Sequence, residues 1–347
     1  LPNVHTTVAL LFGGANSEHD VSVRSARDAV DALRRQGFVV RPVGIDRDGV
    51  WHAAEVDALA ALANGHGANS PGTNTVTSRA RGPRPELWRG ADVVFPLLHG
   101  RYGEDGTVQG AVELAGLPYV GSGVLASALA MDKRMTWRVA TAAGVPMVDT
   151  RVVCDLRELP EAVRGLPLPL FVKPNRAGSS VGAGLVDDLG ALAPAVRVAL
   201  GHDSTALVQQ AVRGDEVSIG VYLLPGGRAV ATGPSLVRLA GDSAFFDFDG
   251  KYGGGETRIE IPGPVVAGIL DRLRDLALLA FEAIGAEGLA RVDFFVTADG
   301  EVLLNEINTM PGLTAVSHFP RLCAADGLGY AELLRMLVER ALAVGPR

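Results

Sequence analysis

Residues 288–312 read GLARVDFFVTADGEVLLNEINTMPG, and the way this stretch folds back on itself decides where the chemistry sits. Two apolar, alternating runs, 289–296 and 301–308, flank Asp299-Gly300. An Asp-Gly pair between such runs predicts a tight hairpin, because a type I′ turn needs positive φ at both central residues. With those two residues as the loop, Asp293 falls opposite Glu306 and Arg291 opposite Asn308. Side chains alternate faces along a strand, so these four share one face. Val292, Val296, Leu303 and Ile307 are expected on the other face, in a core. Two carboxylates and an amide oxygen are hard oxygen ligands and suit Mg2+, which favours a few carboxylates completed by substrate phosphates. Arg291 beside them would offset ligand charge and donate to a phosphoryl group. A surface hairpin with a cross-strand Arg–Asp pair is the plainer alternative. Four polar groups converging on one face of an apolar hairpin favour a metal–phosphate site.

A chain of 347 residues is too long for one ordinary core and predicts two or three domains. Apolar content of 48% beside 20% charged residues is globular in character. A net charge of −7 gives no basic surface for a nucleic-acid partner. The two cysteines, Cys154 and Cys323, fit no metal spacing and read as plain buried thiols in a reducing compartment. The first residues, LPNVHTTVALLFGG, lack a basic n-region and a membrane-length apolar run, so a cytoplasmic protein with no membrane partner is expected. Leu1 in place of a methionine reads as a trimmed start.

Upstream of the hairpin, a buried strand at 7–12 runs into the Gly-rich turn Gly13-Gly14-Ala15-Asn16-Ser17-Glu18 and a helix at 21–35. This is the opening of a nucleotide-binding-like βα unit, although GGANSE is not GxGxxG. Strands at 38–44 and 92–97 complete an α/β unit, and residues 64–85 read as a surface loop. His99 and the Glu104-Asp105 turn follow a strand end, where ligands gather in open α/β sheets. For the two acids, a simple helix N-terminus is an equal alternative. A helical run at 124–143 carries Lys133. A strand at 170–173 ends in Lys173 and opens the Gly/Ser loop 174–182, whose backbone N–H groups suit phosphate oxygens. Strands at 205–210 and 216–224 follow, then residues 240–257, AGDSAFFDFDGKYGGGET, which read as a lid. A helix at 264–284 places Val266, Ile269, Leu270, Leu273, Ala277, Phe281 and Ile284 in a core. A closing helix spans 330–343.

FGGANSEHDVS, HGRYGEDGTVQG, SALAMDK, VKPNRAGSSVG, FFDFDGKY and GLARVDFF with LNEINTMPG, in this order, resemble the D-alanine–D-alanine ligase family of the ATP-grasp superfamily over nearly the whole chain. The resemblance implies an α/β ATP-grasp fold of three domains: a Rossmann-like N-terminal substrate domain (1–121), a central domain (122–210) and a C-terminal domain (211–347) with the lid. ATP would lie between the central and C-terminal domains. Lys133, Lys173, Ser180 and Lys251 are then expected at ATP phosphates, Glu216 at the ribose and Gln209 near adenine. Asp293, Glu306 and Asn308 would hold two Mg2+ (or Mn2+). Arg291 and the Gly312 N–H would face the phosphoryl group and the oxyanion. Glu18, Ser179 and Tyr252 match the family's hydrogen-bonded trio, and Glu18 would also hold the ammonium of the first D-alanine. His99 would lie near that substrate, and Ser317 would bind the carboxylate of the second. A homodimer is implied by the family alone.

The sequence departs from the family pattern at Gln209 and Ala211 near adenine, and at Phe246, Phe248 and His318 around the second-substrate pocket. D-serine users resemble it in the first of these phenylalanines and in a basic residue after the serine, and a histidine can hydrogen-bond a hydroxyl. D-alanine is favoured as the second substrate, with D-serine as the alternative and the Lys251-Tyr252 pair against D-lactate. A non-catalytic ATP-binding regulator is disfavoured by the retained ligand set. A biotin-dependent carboxylase subunit is disfavoured by Glu18 and HGRYGEDG.

Overall fold

The computed structural model describes residues 6–53, 82–178, 180–238 and 258–347. Ser179, Phe246, Phe248, Lys251, Tyr252, the whole predicted lid and most of the predicted loop at 64–85 lie outside the described residues.

Strand β1 (Thr7–Gly13) reads TVALLFG and is buried along its whole length. A strand with no polar face belongs in the middle of a covered, parallel sheet. Its neighbours are indeed parallel, β2 (Val39–Ile45) on one side and β4 (Val93–Leu97) on the other, and the antiparallel edge strand β3 (Trp51–Ala53) lies outside β2, in the order β3-β2-β1-β4. Helix α1 (His19–Arg35) makes the crossover and buries Val23, Ala26, Val30 and Leu33 at helical spacing. Helix α2 (Thr107–Leu114) follows β4.

The sequence reading has one helix over 124–143. The structure breaks it into α3 (Val124–Met131) and α4 (Lys133–Ala142) at an extended Asp132, whose carboxylate accepts the Met135 N–H at 3.0 Å. Aspartate competes for backbone donors inside a helix and is favoured at its N-cap, so the chain restarts there. Lys133 is thereby the first residue of α4. Strands β5 (Thr150–Val153), β6 (Leu170–Pro174), β7 (Gly184–Val186) and β8 (Ala206–Gln210) form an antiparallel sheet in the order β5-β8-β6-β7. The short α5 (Leu159–Ala162) and α6 (Leu189–His202) cover it through Leu159, Leu192, Val196 and Ala199.

The third sheet is antiparallel: β9 (Gly214–Leu223), β10 (Ala229–Arg238), β11 (Arg258–Glu260), β12 (Leu289–Thr297) and β13 (Val302–Asn308), in the order β11-β10-β9-β12-β13. Helix α7 (Ala267–Ala283) packs Leu273, Ala277, Ala280 and Phe281 on one face. Val266, expected in that core, is instead the extended N-cap residue and is 75% exposed; an extended residue before the first turn does not share the helix's buried face. Phe319 of α8 (His318–Ala325) packs near Gly220 on the other face. The last helix, α9 (Tyr330–Val344), returns to the first sheet and buries Leu333, Leu334, Leu337 and Val338 in one core with Val8, Leu10 and Leu33.

The β12–β13 hairpin carries the predicted opposition by a different route. Arg291 pairs with Asn308, Val292 with Ile307 and Asp293 with Glu306, as expected. The loop, however, holds three residues, not two. Thr297 N–H donates to Glu301 O and Gly300 N–H to Thr297 O, with Gly300 at φ +84, a three-residue turn with glycine in the left-handed position. That offset alone would slip the register by one residue. A bulge at Asn305, between the Phe294–Leu304 and Asp293–Glu306 pairs, restores it. The two offsets cancel at the site but not at the tip, where Val302 and Leu304 are the buried residues rather than Leu303.

Candidate active site

A cavity of about 590 Å³ opens where the three sheets meet, and it is lined from all three: Glu18 and His99 from the first, Lys133, Lys173 and Gln209 around the second, and Glu216, Arg291, Asp293, Glu306 and Asn308 from the third. Ser180, Gly312 and His318 also line it.

The hairpin face forms one hydrogen-bonded wall of this cavity. The Arg291 guanidinium forks Asp293, with Nε 2.8 Å from Oδ1 and Nη2 2.7 Å from Oδ2, and Asn308 Nδ2 donates to the same Oδ2 at 2.9 Å. Burial works against the Arg291 charge, but the charge and hydrogen bonds of Asp293, with Glu306 and Glu104 beyond, raise its pKa on balance. Arg291 is therefore a permanent cation, held rigidly in bidentate geometry. Among the described residues no group of three or more His, Cys, Asp or Glu side chains is clustered for a metal. A divalent cation at Asp293, Glu306 and Asn308 would need oxygens from another source, which suits Mg2+ and a polyphosphate.

Facing this wall are two lysines. Lys133 Nζ donates to Ala177 O at 2.9 Å and lies 3.6 Å from Glu306 Oε2. Lys173 stands at the end of an apolar strand, where Nζ donates to Asn305 Oδ1 at 3.2 Å. Burial, then the charge of Lys133, pull its pKa down to about 8, against the raising charges of Glu306 and Glu216. A desolvated amine beside a second cation is stabilised by an incoming anion, and a phosphate group supplies one.

The first sheet contributes a corner shaped by glycine and Asn16. A Cβ on Gly13, at φ +92, would lie 2.1 Å from Ile45 O, so only glycine passes there. The turn that follows is tied across to the HGRYGEDG segment: Asn16 Nδ2 donates to His99 O at 2.8 Å and to Arg101 O at 2.9 Å, and Asn16 Oδ1 accepts the Glu18 N–H at 2.9 Å. This brings Glu18 beside His99. The His99 Nδ1–H donates to Met310 O at 2.9 Å, which leaves the lone pair on Nε2, a buried atom with no hydrogen-bond partner among the described residues. Burial lowers the imidazole pKa, against the Met310 bond and the Glu18 charge, so the ring is neutral. Glu104 accepts the Gly100 N–H at 2.9 Å through Oε1, while Oε2 is buried. Burial first, with the charges of Glu18 and Glu306, pushes its pKa up to about 7. Glu104 is thus a half-buried cavity residue with one buried carboxylate oxygen, not a solvated helix-end acid.

The segment after β13 holds the remaining predicted residues. Ser317 does not line the cavity. It sits behind Gly312, with Oγ 3.2 Å from where a Gly312 Cβ would be, and Oγ accepts the Thr314 N–H at 3.1 Å. Its own hydroxyl proton is still available to Thr314 Oγ1, 2.7 Å away, or to a carboxylate. His318 lines the cavity with Nε2 engaged by the Ser235 hydroxyl. Gln209 is buried and donates to Thr150 Oγ1 at 2.7 Å. Glu216 lies on β9 opposite Phe295 of β12.

Family models described as D-ala D-ala ligase N-terminus and C-terminus match residues 7–122 and 140–339. The chain belongs to the D-alanine–D-alanine ligase family. It is 43% identical to a D-alanine–D-alanine ligase of Mycolicibacterium vanbaalenii, covering 97% of each chain, and 42% identical to one of Corynebacterium efficiens, covering 96% of each. Among solved structures, it resembles the VanG D-Ala:D-Ser ligase of Enterococcus faecalis, with TM-score 0.85 and 31% identity over 97% of this chain and 99% of that one. It also resembles the D-alanine–D-alanine ligase of Coxiella burnetii, with TM-score 0.80 and 29% identity over 98% and 94%. The chain is an enzyme of this ATP-dependent family and has its ATP-grasp fold. Sequence reasoning had missed two residues of this ligase's site. Asn16 carries a usable signal, a side chain able to bridge two backbone carbonyls in a Gly-rich turn. Asn305 carries none, because nothing in LLNEIN marks the bulge.

Proposed function

We propose that this ligase joins two D-alanines into D-alanyl-D-alanine for peptidoglycan precursors, in the cytoplasm, with ATP cleaved to ADP and phosphate. The observation that carries the reading is the meeting, in one cavity, of the Glu18–His99 corner, the two lysines and the Arg291–Asp293–Glu306–Asn308 face. A carboxylate is a poor electrophile, so activation comes first. The carboxylate of the first D-alanine attacks the γ-phosphorus, ADP leaves, and an acyl phosphate forms. Glu18 would hold that substrate's ammonium, and the neutral His99 Nε2 offers a second acceptor. Lys133 and Lys173 would bind phosphate oxygens, as would Ser180 and, from the predicted lid, Lys251, with Glu216 at the ribose and Gln209 near adenine. Such transfer depends on positioning and charge neutralisation more than on covalent help from protein groups. Asp293, Glu306 and Asn308 would hold Mg2+, which when bound supplies further neutralisation at the transferring group.

The amine of the second D-alanine then attacks the acyl carbon, and phosphate departs as the amide forms. Arg291 and the Gly312 N–H would stabilise the oxyanion, and removing such a donor typically costs ~10²–10³ in rate. Ser317 would bind the second carboxylate. Residues 240–257, with Tyr252 bonded to Ser179 and Glu18, would exclude water from the acyl phosphate. The three sheets support a division at residues 121 and 210, with ATP between the second and third units. His318, the residue that favoured D-serine at the sequence level, has Nε2 on Ser235, and D-alanine is the acceptor of this proposal. The test is ADP release with Mg2+ and ATP. Release is expected to need D-alanine and to be absent with L-alanine; release independent of any D-amino acid overturns the proposal.

A further inference from the structure

The turn that carries Gly312 and Ser317 is tied down by side chains remote from the cavity. Asp28, on α1, accepts the Ala315 N–H through Oδ2 at 2.9 Å. Tyr330, the first residue of α9, donates its hydroxyl to Leu313 O at 2.8 Å. Neither lines the cavity. Leu313 buries the start of this turn, but its tip is not held by burial, since Ala315 is exposed and Val316 is 78% exposed. Within it, Ser317 N–H donates to Thr314 O at 3.0 Å and Thr314 N–H to Ser317 Oγ, so its internal shape is local. Its place relative to the rest of the molecule is set by Leu313, buried in the core shared by α1 and α9, and by the two outside ties, Asp28 and Tyr330.

The same helix begins at the other substrate corner. Glu18, whose side chain lines the cavity, is the N-cap residue of α1, and its carboxylate makes no capping bond to that helix. A straight helix advances 1.5 Å per residue, so Asp28 lies about 15 Å along the axis from Glu18. One rigid element thus touches both ends of the site. We infer that Asp28 and Tyr330 are positioning residues for the second substrate, with α1 as the strut that sets the distance between the Glu18 corner and the turn holding Gly312 and Ser317. The two side chains act together: burial, and then the Asp28 charge, raise the Tyr330 pKa, which keeps the phenol a donor. This inference rests on the proposed division of labour, with Glu18 at the first substrate and Ser317 at the second.

The test is initial-rate kinetics with ATP, Mg2+ and varied D-alanine, resolving the KM of each D-alanine site, on the parent, Asp28→Ala, Asp28→Asn and Tyr330→Phe. Asp28→Ala is expected to raise the second-site KM about tenfold, as one charge-assisted bond is lost and the turn moves. The first-site KM and the ATP KM should stay within about twofold, since neither depends on the turn's placement. Asp28→Asn, whose amide oxygen can still accept the Ala315 N–H, should restore the second KM. Tyr330→Phe should follow Asp28→Ala and carries the same readout if that variant folds poorly. An unchanged second KM in both, or a parallel rise of all three constants, overturns the inference while leaving the ligase reading intact. A parent enzyme that makes no D-alanyl-D-alanine overturns the ligase reading and this inference with it.

Discussion

Lys173 is where stability and function pull in opposite directions, and replacing it with methionine separates them. Its amine is held at about 8 instead of 10.5, first by burial and then by Lys133. A shift of that size amounts to about 3 kcal/mol against folding while the amine is charged. The unfolded chain binds the proton more tightly, so the penalty is fully present below pH 8 and fades as the pH rises towards 10.5. Lys173→Met keeps the apolar stem and removes the charge, but it forfeits the 3.2 Å bond to Asn305, worth about 1 kcal/mol. The ligand-free variant should therefore be more stable than the parent by about 2 kcal/mol at pH 7, a Tm rise of about 3 °C. The gain should vanish near pH 10. ATP with Mg2+ should raise the parent's Tm more than the variant's. Thermal melting at pH 7 and pH 10, with and without nucleotide, reads all of these. A variant that melts at or below the parent at pH 7, or that ATP still stabilises as it does the parent, refutes the reasoning.

Gly13→Ala places a Cβ 2.1 Å from Ile45 O at φ +92 and should lower stability by about 3 kcal/mol, read as a shift of the urea midpoint; an unchanged midpoint contradicts the strained-turn account. Glu104 is pushed up to about 7, so the parent should lose stability as pH rises from its ordinary 4.5 through 7, because the folded state holds the proton longer. Glu104→Gln keeps an acceptor for Gly100 and should flatten that slope in melts across the same window; equal slopes in the two proteins count against it. Asn16→Ala cuts the tie between the Gly-rich turn and His99 and should raise the first-site D-alanine KM about tenfold with the ATP KM unmoved. A rise in the ATP KM instead would place Asn16 elsewhere in the mechanism.

The fold was legible where periodicity carries it. The apolar run of β1 and the 23-26-30-33 stripe of α1 specify a parallel sheet and its crossover. The opposition of Asp293 and Glu306 across the hairpin was expected from a two-residue loop, and it holds only because the three-residue loop and the bulge cancel. That loop and that bulge were not legible, because both are one-residue offsets that leave composition unchanged. Strand β10 was missed for a related reason. Gly233-Pro234 reads as a breaker, yet the strand absorbs it through an irregularity between Ala231 and Pro234. Asp132 looked like one polar residue within a helix, and only its cap to Met135 shows that it ends one helix and begins another. Side-chain chemistry was legible by type, with Lys173 at a strand end and Arg291 among carboxylates. The long-range ties were not: Asn16 to His99, His99 to Met310 and Asp28 to Ala315 join residues whose separation in the chain hides them.

The most direct test of the central claim is the mass of the product made from ATP, Mg2+ and an equimolar mixture of D-alanine, D-serine and D-lactate. D-alanyl-D-alanine is expected to dominate, with one ADP released for each dipeptide. Dominant D-alanyl-D-serine would move the acceptor and make the pocket around His318 the reason, and no condensation product at all would contradict the ligase account.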